Sequence, residues 1–142
     1  MCSNRRNGRN RGFTLVELMV VIVIIGLLAG IVTVNVRGHL ISARQTVAKQ
    51  EITNIKSALE TFYATCGRYP SNDEGITALT KPSQKLTEPL LDGMPVDPWG
   101  RPYQYNNPGT SSAYDVISYG ADGREGGDGA NADIRSDSLK EK

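Results

Sequence analysis

The chain has 142 residues, with 16 basic and 15 acidic side chains, one histidine and two cysteines. That length bounds it to one domain with a modest core. The absence of a clustered basic surface in its larger part argues against a nucleic-acid partner. No Gly-x-Ser-x-Gly, phosphate loop or dinucleotide fingerprint occurs, and His39 has no nucleophile or carboxylate cluster near it in sequence, so the chain is not read as an enzyme.

The first twelve residues form a small, polar leader carrying Arg5, Arg6, Arg9 and Arg11 and no acid. Phe13 to Val36 follow, apolar except for one ionisable side chain, Glu17. The run is too long for the core of a secretory signal, and no small-residue cleavage site follows it. It is long enough to span a bilayer, at ~36 Å of helix against ~30 Å of hydrocarbon. The leader arginines favour a cytoplasmic N-terminus, mildly, because Arg37, Arg44 and Lys49 follow the run. Gly12-Phe13 marks the junction where a membrane peptidase could cut and leave the apolar helix in place. An unpaired carboxylate inside hydrocarbon is expensive. Glu17 therefore either reaches the headgroups or finds a cation on another copy of the chain.

Helical periodicity continues past the apolar run. Ala48, Ile52, Ile55, Leu59, Phe62 and Cys66 form one stripe, with Lys49, Gln50, Glu51, Asn54, Lys56 and Glu60 on a wet face. Lys56 and Glu60 are spaced for a weak surface pair. Gly67 and Pro70 stop the helix, which is expected from Phe13 to Cys66 over ~80 Å. Its first half is expected in membrane and its second packed on a small domain. Gly26, Gly30 and Gly38 are its weak points, allowing close approach of neighbours or local unwinding. Cys66 reads as a small buried hydrophobe, and Cys2, in the leader, leaves it without a lasting partner.

The remainder is loop-rich. Ser71 to Gly75 opens a short helical turn carrying Ile76 and Leu79, and five prolines from Pro82 to Pro102 exclude long elements. Asp97-Pro98-Trp99-Gly100 has the form of a type I turn. Tyr103–Tyr105 and Tyr114–Tyr119 alternate as antiparallel strands that pack Tyr and Val on the helix stripe. The fold class is thus α+β: a long N-terminal helix on a small antiparallel sheet with a loop-rich C-terminal region. Gly120 to Asp133 combines glycines with Asp122, Asp128 and Asp133, which suits a hard cation and equally a flexible acidic loop. It is not an EF-hand, since Arg124 and Gly126 stand where carboxylates are required, and one Gly-Gly-x-Gly is too little for a tandem calcium repeat. Ser136 to Lys142 is expected to fray.

Arg11-Gly12-Phe13-Thr14-Leu15-Val16-Glu17-Leu18 resembles the processing and assembly motif of the type IV pilin family. The resemblance implies cleavage by a prepilin peptidase between Gly12 and Phe13 and N-methylation of Phe13. It also implies pairing of Glu17 with the Phe13 amine of a neighbouring copy. The segments are then a leader 1–12, a transmembrane and filament-core helix half 13–36, and a periplasmic pilin-like head 37–142. Arg68-Tyr69-Pro70, Glu74 to Leu79, Asp97 to Gly100 and Ser118 to Gly123 resemble, in the same order, the major pseudopilins of type II secretion systems. By that resemblance the chain is a pseudopilus subunit for export of folded proteins, single-pass in the inner membrane with its head in the periplasm. Its partners would be copies of itself, minor pseudopilins, an inner-membrane assembly platform, the prepilin peptidase, and membrane lipid before assembly. The same resemblance implies one calcium ion on the carbonyls of Tyr119 and Ala130 and the side chains of Asp122 and Asp133. Two departures stand out. Ala132 replaces the first of an aspartate pair found in some relatives, leaving Asp128, Asn131 or water for that place. Val34 stands where many relatives have a helix-kinking proline. The competing readings are a surface-fibre pilin and a membrane-anchored calcium-binding module that never polymerises.

Overall fold

The computed structural model describes residues 12–139, excepting the side chains of 32–35. The arginine-bearing leader up to Arg11, with Cys2, lies outside the described residues, as do the Val34 side chain and the last three positions. Helix α1 runs Leu15–Cys66, beginning two residues after the expected start. The reason is local: Thr14 Oγ1 accepts the Glu17 N–H at 3.2 Å, and the Thr14 carbonyl accepts the Leu18 N–H at 3.2 Å. Thr14 is therefore the N-cap. The helix ends where Gly67 adopts φ +77° and donates its N–H to the Tyr63 carbonyl at 2.7 Å, a left-handed stop that glycine adopts without strain.

The chain divides into Met1–Gly38 and His39–Lys142. In the described part of the first unit the apolar side chains are exposed, from Phe13 at 79% to Ile31 at 65%. That segment is long and apolar enough to cross a membrane.

In the second unit the predicted stripe forms the core: Ala48, Ile52, Ile55, Leu59 and Phe62 are buried, and half-buried Cys66 packs against them. Ile76 and Leu79, on a 3-10 turn Ile76–Leu79, close one side of the core. Strands β1 (Gln104–Asn106), β2 (Asp115–Ser118) and β3 (Ile134–Arg135) form an antiparallel sheet in that order. Tyr105 faces Val116 across β1 and β2, and Ser118 faces Ile134 across β2 and β3. The two expected strands are present, the first shifted by one residue and the second trimmed by one at each end, and β3 is an addition to them. Alternation fails in β2, where all four residues are buried. As the central strand it has both faces covered, and its polar members find partners: Asp97 Oδ2 accepts the Ser118 hydroxyl at 2.8 Å. Likewise Asp115 Oδ2 accepts the Thr110 N–H at 2.7 Å.

Two expectations need correction. The Lys56–Glu60 pair is not among the described ion pairs. Instead the Glu60 carboxylate accepts the hydroxyls of Tyr69 (3.1 Å) and Tyr114 (3.0 Å), and Glu51 accepts that of Tyr103. Glu60 is exposed and Glu51 half-buried, and both satisfy tyrosines whose rings fill the core edge. Burial raises the pKa of Tyr103 and Tyr114, reinforced by those carboxylates, and pushes Tyr105 up to about 12. Among the described residues, the C-terminal stretch from Ser136 to Leu139 does not fray. Ser136 exchanges two 2.9 Å hydrogen bonds with Val116, and Leu139 packs on the core.

Candidate functional site

Two places carry the residues singled out by sequence, and they belong to different units. At the N-terminal end, Thr14 and Glu17 form the Thr-x-x-Glu spacing of a capping box, of which the Thr14 half is made. The Thr-x-x-Glu spacing before an apolar run is itself a sequence signal for this cap, beyond the role of Thr14 in the processing motif. The arrangement caps the helix at Thr14, so that its first turn opens at Leu15, two residues after Phe13. It also puts the Glu17 carboxylate in the first turn, where the helix dipole favours negative charge. Among the described residues Glu17 has no ion-pair partner. Gly12 and Phe13 are both exposed, as a peptidase would require.

The second place is the segment Tyr119–Asp133. Its return is fixed by short contacts: the Ala130 carbonyl accepts the Ala121 N–H at 3.0 Å, and the Tyr119 carbonyl accepts the Gly123 N–H at 3.1 Å. Gly120 has φ +60°, and a Cβ there would lie 2.9 Å from the Ala130 oxygen, so only glycine allows the two arms to meet. Asp122 Oδ1 accepts the Arg124 N–H (3.2 Å), and Asp133 Oδ2 accepts the Gly126 N–H (2.9 Å). The fold thus brings Ala130 against the Tyr119–Ala121 arm and Asp133 against the loop tip.

Whether these residues suit a cation can be judged from their atoms. Asp133 Oδ1 is buried with no hydrogen-bond donor, a condition that a bound cation would relieve. Asp115 Oδ1, under the Gly109–Thr110 turn, is in the same condition. The orphan alone is therefore weak, and the donor chemistry must carry weight beside it. That chemistry is oxygen only, from two carboxylates and two carbonyls that each retain an unused lone pair, as hard cations require. Among the described residues no three His, Cys, Asp or Glu side chains converge, so carbonyls would be essential. On these grounds the residues fit calcium.

The loop is also held by groups that sequence reading did not single out. Gln45 Nε2 on α1 donates to the Gly129 carbonyl at 2.6 Å, and Arg101 Nη1 donates to the carbonyls of Gly120 and Ala121 at 2.8 Å each. Neither link has a local sequence signature.

The profile of the family described as type II secretion system (T2SS), protein G matches residues 35–137, and that of the prokaryotic N-terminal methylation motif matches residues 7–33. The type II secretion system core protein G of Pseudomonas aeruginosa is 45% identical over 130 residues, covering 87% of this chain and 92% of its own. That of Vibrio cholerae is 42% identical over 132 residues, covering 89% and 90%. The crystal structure of the major pseudopilin from the type 2 secretion system of enterohaemorrhagic Escherichia coli matches with a TM-score of 0.61. It is 28% identical and covers 74% of this chain and 96% of its own.

Proposed function

This chain belongs to the type II secretion system protein G family, and from that premise we propose that it is the subunit that polymerises into the system's pseudopilus. The observation that carries the reading is the capped helix start. Thr14 fixes the first turn, Glu17 stands in it, and an exposed apolar run follows directly. The subunit waits in the inner membrane with its head in the periplasm. After a prepilin peptidase removes residues 1–12, the new Phe13 amine is methylated and supplies a cation. In the filament, Glu17 of one copy meets that amine on another. The pair contributes little net attraction, but leaving either charge alone in hydrocarbon is costly, so it enforces register while apolar contacts supply the adhesion. Minor pseudopilins and an inner-membrane platform are the remaining partners.

In the head, the carbonyls of Tyr119 and Ala130 with the side chains of Asp122 and Asp133 would hold calcium. Bound there, the ion offsets the loop's negative charge and gives Asp133 Oδ1 a partner. The protein's own part is to bend the loop through glycines and return Asp133 beside the sheet.

The test has two readings. Membrane-extracted protein should weigh less by residues 1–12 and more by one methyl group. Glu17→Gln should still be processed yet fail to form filaments in cells that overproduce the secretion system. Retention of the leader, or normal filaments from Glu17→Gln, overturns the proposal. Long surface fibres would point to the pilin reading, and processed protein that stays monomeric in both forms would point to a plain anchor.

A further inference from the structure

Arg101 follows the Asp97–Gly100 turn, and its backbone is fixed from both sides. Its N–H donates to Asp97 Oδ1 at 2.8 Å, and its carbonyl accepts the Asp97 N–H at 2.7 Å. Asp97 is only 4% exposed and is tied to β2 through the Ser118 hydroxyl. From this anchored base the guanidinium extends to the loop, where one nitrogen serves two successive carbonyls, Gly120 and Ala121. Successive carbonyls of an extended strand point in opposite directions. Both reach one donor here because the arm bends around the guanidinium, helped by the positive φ of Gly120. The fit is close: a Cβ on Gly123 would lie 2.7 Å from Arg101 Nε. The two carbonyls that Arg101 takes lie in sequence between the Tyr119 carbonyl and the Asp122 carboxylate.

We infer that Arg101 is the positioning residue of the cation loop, an internal cation that shapes residues 119–123 and keeps the Gly120 and Ala121 carbonyls out of the ligand set. The arm then holds its bend before any ion arrives, and only Tyr119 and Asp122 are offered from it. Gln45 acts separately on the opposite arm through Gly129. A fixed positive charge beside a cation site opposes binding, but a loose arm of five residues must be ordered by the ion itself, which opposes binding more. The calcium role rests on the function proposed above, whereas the shaping of the arm does not.

The experiment uses the full chain in detergent micelles and begins with hydrogen exchange in excess chelator. The Ala121 and Gly123 amides are reporters, because both donate within the loop. Arg101→Ala should speed their exchange ~10-fold or more, with the β1 amides Gln104–Asn106 unchanged. Arg101→Lys, which lacks the rigid fork, should restore part of the protection. Gln45→Ala should instead loosen Asn131 and Ala132. Unchanged loop protection in Arg101→Ala overturns the inference, and so does equal acceleration at all amides, the mark of a merely structural residue. Terbium luminescence then reads the site itself: Arg101→Ala should bind terbium ~10-fold more weakly than the parent, and equal affinity removes the positioning role toward the ion. A parent that binds no terbium overturns the calcium reading and leaves the exchange result to decide on Arg101.

Discussion

Replacing Asp97 should cost the head much of its stability, and the size of the effect can be worked out from its contacts. The carboxylate accepts from the Trp99 N–H (3.1 Å), the Arg101 N–H (2.8 Å) and the Ser118 hydroxyl (2.8 Å). Asp97→Ala strands all three donors. Ser118 is 1% exposed, so its hydroxyl cannot recover water and loses about 1–3 kcal/mol. The two amides sit on half-buried residues and can be partly rehydrated, at about 1 kcal/mol each. Removing a buried charge returns part of its desolvation, which leaves a net loss of about 3 kcal/mol. Asp97→Asn keeps one acceptor for the amides, and the Ser118 hydroxyl can rotate to accept from the new amide. It should lose only about 1 kcal/mol. For a domain of this size these losses correspond to melting points lower by roughly 12–24 °C and 4–8 °C. Trp99 is the single tryptophan and lies in the affected turn, so its fluorescence in a thermal melt of the full chain in micelles reports the change directly. An alanine variant that melts within ~2 °C of the parent, or one more stable than the asparagine variant, would refute this reasoning.

Excess calcium at about 100-fold over its dissociation constant should stabilise the full chain by about 2.7 kcal/mol, and equal melting with calcium and with chelator would remove the ion from the account. The Arg68 guanidinium 2.6 Å from Glu74 holds that carboxyl down at about 2. Because the folded value is depressed, this contribution is present above the ordinary carboxylate value of about 4.5 and fades as pH falls toward 2. Arg68→Met should flatten the acid limb between those values in a pH series of melts, with a small effect because both side chains are exposed. At the other extreme, burial raises Tyr105 to about 12, so its contribution is full below pH 10 and is lost as pH rises from 10 toward 12. Tyr105→Phe should trim that alkaline loss, at about 1 kcal/mol near neutrality, since Asn107 Nδ2 still serves the Pro70 carbonyl that Tyr105 releases.

What could be read from sequence was what neighbouring residues decide among themselves. The stripe from Ala48 to Cys66 repeats with the period of a helix, Asp97-Pro98-Trp99-Gly100 carries its own turn chemistry, and the two strand segments are marked by their β-branched and tyrosine content, although β2 is buried on both faces rather than alternating. Strand β3 has only two residues and exists because β2 offers a free edge where the glycine loop returns. No pattern within Ile134–Arg135 announces it. Ser136 and Leu139 looked like a polar tail for the same reason, since their burial depends on Val116 and the core. The spacing that puts Glu60 on the exposed face is right, but it gives no sign that the carboxylates of Glu51 and Glu60 serve tyrosine hydroxyls, because the long reach of tyrosine lets ring and hydroxyl be satisfied by different layers. The cation loop was legible in composition and its turn glycines were visible. Its braces were not: Arg101 and Gln45 approach from 19 and 84 residues away.

These contacts imply a division of labour with a testable edge. Every buried apolar side chain among the described residues lies at Ala48 or beyond, while the exposed apolar run lies before Gly38. The head therefore folds on contacts that Glu17 does not make, and the partners of Asp97 all lie within the second unit. Glu17→Gln should melt with the parent in micelles and yet fail to assemble. Asp97→Ala should be processed and methylated normally at Phe13 yet present a loosened head. If Glu17→Gln lowered the melting temperature of the head by more than ~2 °C, the carboxylate would be serving the fold of its own chain, and the requirement for a neighbouring copy would lose its physical basis.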